Sequence, residues 1–564
     1  MDETTSFFWM NGLLATDLIE VSSDIKRVDQ GGFWTVSISF EGVPVLANFA
    51  KVEHGKAFPK SKPWKVIDSV WESSLEREDF SRYVSEIRER ISEGVVYQVN
   101  ACRVLTTAAP DASLDSLFEQ LLVHNSAPYA SFLRIPGLEI ASASPELFLA
   151  RDGRVVKTSP IKGTQELRES SEFGAKDQSE NIMIVDLMRN DLGRVCETGS
   201  IEVTDFLRTE NHPGVRHLVS DVRGLLRGNI LWSDITEALL PPGSVSGTPK
   251  SSAVEIILQN EPVARDIYCG VLGWIHGSQS ALSVAIRTFW RRNQTLYFGT
   301  GGGITWPSDP RAEWRETQLK ANRLIGIAGG TDAEGWQFGS GIFETILLED
   351  GKPLLFDKHM DRAEKSGREL SIQIPSRKEI LEAISKVEQM PLARLRLTFG
   401  RQFSLNTAPY DISGTPLRVT LKRDQAKAGM GEHKVFPYWE NQDLLYRANQ
   451  EGFDEVLLTD LEGVVGEGAT CNYLFRINGA WITPPLSSGV LPGIMRALVL
   501  EKELATEQVL CVADLNDIES MVALSSLRIC TPVASLGDRK LVIDEEIQLL
   551  FDILWAAAQA DSVG

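Results

Sequence analysis

A run of small and polar residues, Gly326-Ile-Ala-Gly-Gly-Thr-Asp-Ala-Glu-Gly335, interrupts the chain just past its middle. Such a composition buries little and suits a linker. At 564 residues the chain is also too long for one hydrophobic core. The expected organisation is a short strand-rich part over 1–75, a first domain over 76–325, a linker over 326–335 and a second domain over 336–564. No internal repeat relates the two halves.

Within the first half, apolar alternation predicts strands at 33–40, 95–100, 130–134, 139–142, 147–150 and 154–158. Helical spacing of charges and apolar residues marks 77–94, 176–192, 251–260 and 311–327. The mixture predicts a sheet-rich α/β core with helices packed outside it. The last residues, 556–564, read as a frayed tail.

Charge excludes some functions. A formal net charge of −20 argues against non-specific binding to nucleic acid or to an anionic membrane. It leaves room for an anionic substrate, because a local cation can overrule the global field. No apolar run reaches the ~18–20 residues needed to span a bilayer, and residues 1–20 lack a basic start. The six cysteines are scattered without a CxxC pair, which predicts buried thiols in a reducing compartment and a cytoplasmic protein.

The stretch richest in chemistry is Thr158–Thr164, TSPIKGT. Its Lys162 lies between a proline that fixes the backbone and a glycine that lets it turn. Upstream, ASPE presents Glu146 on a second proline-set turn, and downstream ENIMIVDLMRNDLGR is an apolar helix with acids at both ends. An amine, an acid and a metal-type carboxylate lie close together in sequence. The same residues also read as a surface lysine with ordinary helix charges.

Six segments in order, EGVVYQVN (93–100), ASPELFL (143–149), PIKGT (160–164), ENIMIVDLMRNDLGR (180–194), GSVSGTPK (243–250) and GTGGGITWPSDPRAEWRET (299–317), resemble the chorismate-utilising family. That family includes anthranilate synthase, isochorismate synthase and aminodeoxychorismate synthase component I. The resemblance implies Glu180 and Glu316 as Mg²⁺ ligands, Glu146 as general acid, and Arg287 with the amides of Gly301, Gly302 and Gly303 as a carboxylate site. Tyr268 and His217 match further pocket positions. Lys162 matches the lysine with which aminodeoxychorismate synthases attack C2 of the substrate, where anthranilate and isochorismate synthases typically have alanine. Gln98 occupies the position of the lysine that activates water in isochorismate synthases, which argues against water as the nucleophile. No glutaminase pattern accompanies these motifs, so ammonia is expected from solution or from a separate glutamine amidotransferase subunit.

The second half carries FGSGIFET (338–345), HMDR (359–362), EGVVGEGATCN (462–472), TPPL (483–486) and LPGIMR (491–496). These resemble the class IV aminotransferase fold group, and within it aminodeoxychorismate lyase, with a two-subdomain α/β fold. The implied cofactor is pyridoxal 5'-phosphate. Family spacing counted back from Asp454 gives Lys434 as its lysine, and Glu467 matches the acid on its ring nitrogen. Arg362 and the amide of Ile494 would take the phosphate, with Ser526 as a further candidate. Pro437 falls close enough to Lys434 to distort its loop. Class IV folds often pair, so a homodimer through this half is expected.

The resemblances together imply synthesis of 4-aminobenzoate in two steps, as in folate precursor supply. Two alternatives stay open: an anthranilate-type synthase joined to an amino-acid aminotransferase, or a synthase whose C-terminal half is a non-catalytic binding module.

Overall fold

The computed structural model describes residues 5–59, 62–108, 113–125, 127–166, 173–212, 215–333, 337–423 and 431–561. The chain divides into two units, Met1–Phe338 and Gly339–Gly564.

In the first unit eighteen strands form one sheet, and every pairing recorded in it is antiparallel. The strand Phe33–Ile38 shows why. Trp34, Val36 and Ile38 alternate with Thr35 and Ser37, and the strand lies between Pro44–Glu53 and Val271–His276 with both faces covered. The expected boundary at residue 75 therefore does not separate two units. Phe7–Met10 pairs with Ser131–Ile135, a partner more than a hundred residues away that local patterning does not reveal.

The helices pack against this sheet. Pro310–Ala328 begins where the Asp309 carboxylate accepts from the amides of Arg311 (3.1 Å) and Ala312 (2.9 Å), with Pro310 at its first position. Its buried stripe, Trp314, Thr317, Ala321, Leu324 and Ala328, repeats at helical spacing. The helix predicted at 77–94 is Arg77–Ser92. The strand expected from 95 starts only at Gln98, because the Val95 amide still bonds to the Arg90 carbonyl (3.0 Å) after a left-handed Gly94.

The glycine-rich stretch expected as a linker is in part packed structure. Residues 326–328 finish the helix, and Gly329–Thr331 pairs parallel with Ile67–Val70. A Cβ on Gly329 would stand 2.2 Å from Val66 Cγ1, and one on Gly330 would stand 2.6 Å from Trp71 Nε1. These glycines serve close approach rather than flexibility. Residues 334–336 lie outside the described residues.

The second unit has two sheets, as a two-subdomain fold requires. One is five-stranded, centred on Gly341–Glu349 and Leu392–Phe399 and antiparallel throughout. The other is eight-stranded and mixed, with Leu417–Arg423 lying parallel between Glu455–Thr459 and Ile529–Leu536. The helix Glu545–Ala560 covers the second sheet; of the tail expected at 556–564, residues 556–560 are helical, Asp561 is a turn, and 562–564 lie outside the described residues. Among the described residues no helix is long and apolar enough to cross a membrane.

Candidate active sites

In the first unit a cavity of about 540 Å³ is lined by Glu146, Lys162, Glu180, His217, Tyr268, Arg287, Gly301, Gly303 and Glu316, all expected from the sequence. Each reaches it for a local reason.

Lys162 lies on the strand Ile161–Glu166, whose register against Val215–Leu225 shifts between Lys162 and Thr164. Gly163 takes the left-handed backbone at that bulge (φ +80°), which turns the lysine out of the regular alternation. Its Nζ donates to the Ser244 carbonyl at 3.3 Å. Burial pushes the amine below its ordinary value, against the pull of Glu180 and Glu146.

Glu146 follows a turn held by Ser144, whose hydroxyl accepts from the Glu146 amide (3.2 Å) and donates to the Val284 carbonyl (2.6 Å). The side chain is only 4% exposed. Burial raises its carboxyl to about 7, and the Ser244 hydroxyl and the Lys162 ammonium oppose that rise.

Glu180 rides on the helix Ala175–Gly193, anchored one residue on by Asn181. The Asn181 side chain donates to the Leu218 carbonyl (3.1 Å) and accepts from the Ser220 hydroxyl (2.6 Å). Glu316, on Pro310–Ala328, bonds to Lys320 Nζ at 2.6 Å, and the same amine donates to the Gly301 carbonyl at 3.0 Å. Among the described residues no cluster of three or more His, Cys, Asp or Glu could hold a metal. Two carboxylates on one cavity wall still fit Mg²⁺, which takes one or two carboxylates and fills its octahedron with water and substrate oxygens.

The glycine run lies on Thr295–Ile304, paired with Gln98–Ala108 so that Gly303 faces Asn100. A Cβ on Gly303 would stand 2.2 Å from Gln98 Nε2 and 3.6 Å from Lys162 Nζ. Gly302 points its bare face at Glu313 (3.3 Å) and Glu316 (3.6 Å) and is not part of the cavity wall. Gly299 leaves room for the Tyr268 ring, which a Cβ would meet at 2.0 Å. Arg287 has a left-handed backbone (φ +53°), and burial together with Arg323 pushes its guanidinium down to about 10. His217 is fully buried on its strand opposite Thr164 and Glu210.

Sequence reasoning missed Ser244, Asn100, Lys320 and Arg323, which also line the cavity. Ser244 falls inside the GSVSGTPK motif, Asn100 ends the EGVVYQVN motif, and Lys320 and Arg323 follow Glu316 at helical spacing, so signals existed for all four.

In the second unit Lys434, Arg362, Glu467 and Ile494 are tied together. The Lys434 carbonyl accepts from the Phe343 amide (2.9 Å), and its ammonium stands 4.9 Å from the Phe343 ring centre. Val435–Phe436 pairs with Gly341–Ile342, so Pro437 leaves Lys434 held on the sheet edge rather than in a distorted loop. Burial and Arg362 lower the amine to about 8. Arg362 donates from Nε to Glu344 Oε1 (2.8 Å), from Nη2 to Glu344 Oε2 (2.5 Å) and from Nη1 to the Pro492 carbonyl (2.9 Å). These bonds use one N–H of each terminal nitrogen, so the second N–H of each can donate to a further acceptor. Burial works against an ionised Glu344, yet Arg362 and His359 hold its carboxyl well below the usual range.

Glu467 accepts from the Asn472 side chain (3.0 Å) and the Leu491 amide (2.9 Å). The loop 491–493 thereby joins Glu467 to Arg362 and to the start of the helix Ile494–Glu501. Gly493 is required there, since a Cβ would stand 1.8 Å from Asn472 Oδ1. Ser526 lies in the turn between Ser520–Ser525 and Ile529–Leu536, and the pairing of Asn472 with Leu524 brings that turn to the sheet end where Asn472 holds Glu467. The donor set fits a phosphorylated pyridine: a buried amine, a carboxylate, and an arginine beside a helix start.

Residues 38–326 match the family described as chorismate binding enzyme, and residues 341–536 match amino-transferase class IV. Aminodeoxychorismate synthase component 1 of Escherichia coli is 38% identical over 272 residues, 46% of this chain and 59% of that one. Anthranilate synthase component 1 1 of Haloarcula marismortui is 35% identical over 312 residues, 53% of this chain and 63% of that one. Anthranilate synthase component 1 of Neisseria meningitidis serogroup C is 36% identical over 283 residues, 48% of this chain and 57% of that one. The chain spans about three fifths of the length of these curated relatives.

Proposed function

Because the chain belongs to the chorismate binding enzymes and carries a class IV aminotransferase half behind that domain, we propose that it makes 4-aminobenzoate in two steps. The first converts chorismate and ammonia to 4-amino-4-deoxychorismate, and the second eliminates pyruvate from that product. The observation that carries the reading is Lys162, a half-buried amine sharing one cavity with the buried acid Glu146.

In the first unit the neutral Lys162 amine attacks C2 of chorismate, both ring double bonds shift to C1=C6 and C4=C5, and the C4–O bond breaks as Glu146 protonates the departing hydroxyl to water. Ammonia then forms the C4–N bond, the double bonds shift back, and the Lys162 amine leaves C2. A carboxyl raised to about 7 holds the proton that this departure needs at neutral pH, and a desolvated amine has the lone pair that attack needs. Glu180 and Glu316 would hold Mg²⁺, which supplies a hard cation for a substrate carboxylate. Arg287 and the amides of Gly301 and Gly303 bind the other carboxylate. Ammonia comes from a separate glutamine amidotransferase subunit, and the setting is the cytoplasm.

In the second unit pyridoxal phosphate, when bound, supplies an electron sink. Lys434 binds it and moves the proton from C4 of the substrate, whose loss makes the ring aromatic as the C3–O bond breaks and pyruvate departs. Glu467 holds the proton on the pyridine nitrogen, and Arg362 with the Ile494 amide binds the phosphate, with Ser526 at its edge. A homodimer through this unit is part of the proposal.

The anthranilate synthases match the first half almost as well as the aminodeoxychorismate synthase does, which favours amination at C2 as the second reading. The two are separated by quenching the chain with chorismate and Mg²⁺ in the absence of ammonia and digesting it. A mass increment on the Lys162 peptide is expected. No such increment without ammonia, together with steady 4-amino product formation once ammonia is added, would overturn the covalent route.

A further inference from the structure

The GSVSGTPK segment touches the elements that carry Lys162, Glu180 and Asn100 in the first cavity. Gly243 packs on the helix that carries Glu180, where a Cβ would stand 2.6 Å from Leu187 Cδ2. The Ser246 carbonyl accepts from the Asn100 amide at 2.8 Å, and the Ser246 hydroxyl donates back to the Pro242 carbonyl at 3.0 Å. The fully buried Arg265 donates to the Val245 carbonyl (2.9 Å) and the Asn100 carbonyl (2.6 Å), while Glu261 holds the same guanidinium at 2.7 and 2.5 Å. At the far end Lys250 Nζ bonds Asp191 (2.6 Å) and the Leu239 carbonyl (2.9 Å). The segment is clamped along its whole length.

In the middle of that clamp is Ser244, itself 6% exposed and part of the cavity wall. Its carbonyl accepts from Lys162 Nζ at 3.3 Å, and its hydroxyl faces the carboxyl of Glu146 and favours the ionised form. One residue thus addresses the amine with one oxygen and the acid with the other. We propose that Ser244 is a positioning residue that fixes Glu146 and Lys162 in a single frame within the cavity. A rigid loop is what such a task requires, since a small misplacement of either group lowers the rate more than the affinity. This inference rests on the roles proposed above for Glu146 and Lys162.

The charged and titratable groups that line the cavity with Glu146 are Lys162, Glu180, His217, Tyr268, Arg287, Glu316, Lys320 and Arg323. None of them is altered by Ser244→Ala, so a change in Glu146 in that variant reports the hydroxyl. The test uses the full chain labelled with ¹³C at glutamate carboxyls, the Glu146 signal being identified by its absence in Glu146→Gln. In Ser244→Ala the Glu146 midpoint is expected to rise by about one pH unit, because a hydrogen bond to the ionised form is lost. Turnover is expected to fall about tenfold with KM changed less than about twofold. Ser244→Thr, which keeps a hydroxyl, should restore both values.

An unchanged Glu146 midpoint in Ser244→Ala, or a threonine variant no better than alanine, overturns the proposal. Should the alanine variant fail to fold, Ser244→Cys carries the same test with a weaker donor of similar size. The titration needs no substrate. If it shifts as expected while the chain fails to aminate chorismate, the positioning stands and the proposed reaction falls.

Discussion

Replacing Glu146 by glutamine should stabilise the first unit at alkaline pH while removing its acid. Burial raises the folded carboxyl from 4.5 to about 7. The folded state therefore holds a proton that the unfolded chain gives up between those values, so stability falls as pH rises through that window. At about 1.36 kcal/mol per pH unit, the deficit amounts to about 3 kcal/mol above pH 7 and vanishes below pH 4.5. Glutamine keeps the shape and cannot ionise. The expected gain from Glu146→Gln is about 2–3 kcal/mol at pH 8.5, allowing for a weaker bond to the Ser244 hydroxyl, and close to zero at pH 4.5. Urea unfolding of the full chain, followed by tryptophan fluorescence at a series of pH values, reads this difference. A wild type and variant that differ equally at both pH values, or a glutamine variant less stable at pH 8.5, would refute the claim that Glu146 is a strained buried acid.

Further outcomes follow from the same geometry. Glu146→Gln should lower chorismate amination by about 10²–10⁴-fold, the usual contribution of a positioned acid, measured as product formed per unit time. Gly303→Ala should cost about 1–3 kcal/mol by crowding Gln98 and should weaken substrate binding, because its Cβ would stand 2.2 Å from that amide nitrogen; calorimetry and KM read the two effects. Adding pyridoxal phosphate should produce a visible absorbance band that Lys434→Ala abolishes, and borohydride should fix the cofactor on the Lys434 peptide. Because only the neutral amine adds to the cofactor, the rate of band formation should rise with pH through about 8 and level off above it. Arg323→Ala should raise KM for chorismate a few-fold, with an effect that shrinks as salt is added, since Arg323 adds its charge beside Arg287.

Much of the site was legible because its chemistry is local. Gly163 was legible as a turn after Lys162, which the structure makes a bulge in a strand, and helical spacing over 311–327 gave the helix that carries Glu316. Gly301, Gly302 and Gly303 were expected as amides approaching a carboxylate; Gly301 and Gly303 line the cavity, whereas Gly302 turns toward Glu313 and Glu316. Long-range pairing was not legible. Nothing in Phe7–Met10 names Ser131–Ile135 as its partner, so the N-terminal strands looked separate when they complete the same sheet. Gly329 and Gly330 looked like a hinge because flexibility and tight packing call for the same residue. Ser244 was hidden for another reason: half of its role belongs to a backbone carbonyl, which any residue type supplies.

The central claim is that two successive reactions run on one chain. The most direct measurement incubates the purified full chain with chorismate, Mg²⁺ and ¹⁵N-ammonium, with and without pyridoxal phosphate, and identifies the products by mass. The account predicts ¹⁵N-labelled 4-amino-4-deoxychorismate without the cofactor, and ¹⁵N-labelled 4-aminobenzoate with an equal amount of pyruvate when it is present. Labelled anthranilate, or an aminated product that the cofactor leaves unconverted, would contradict it.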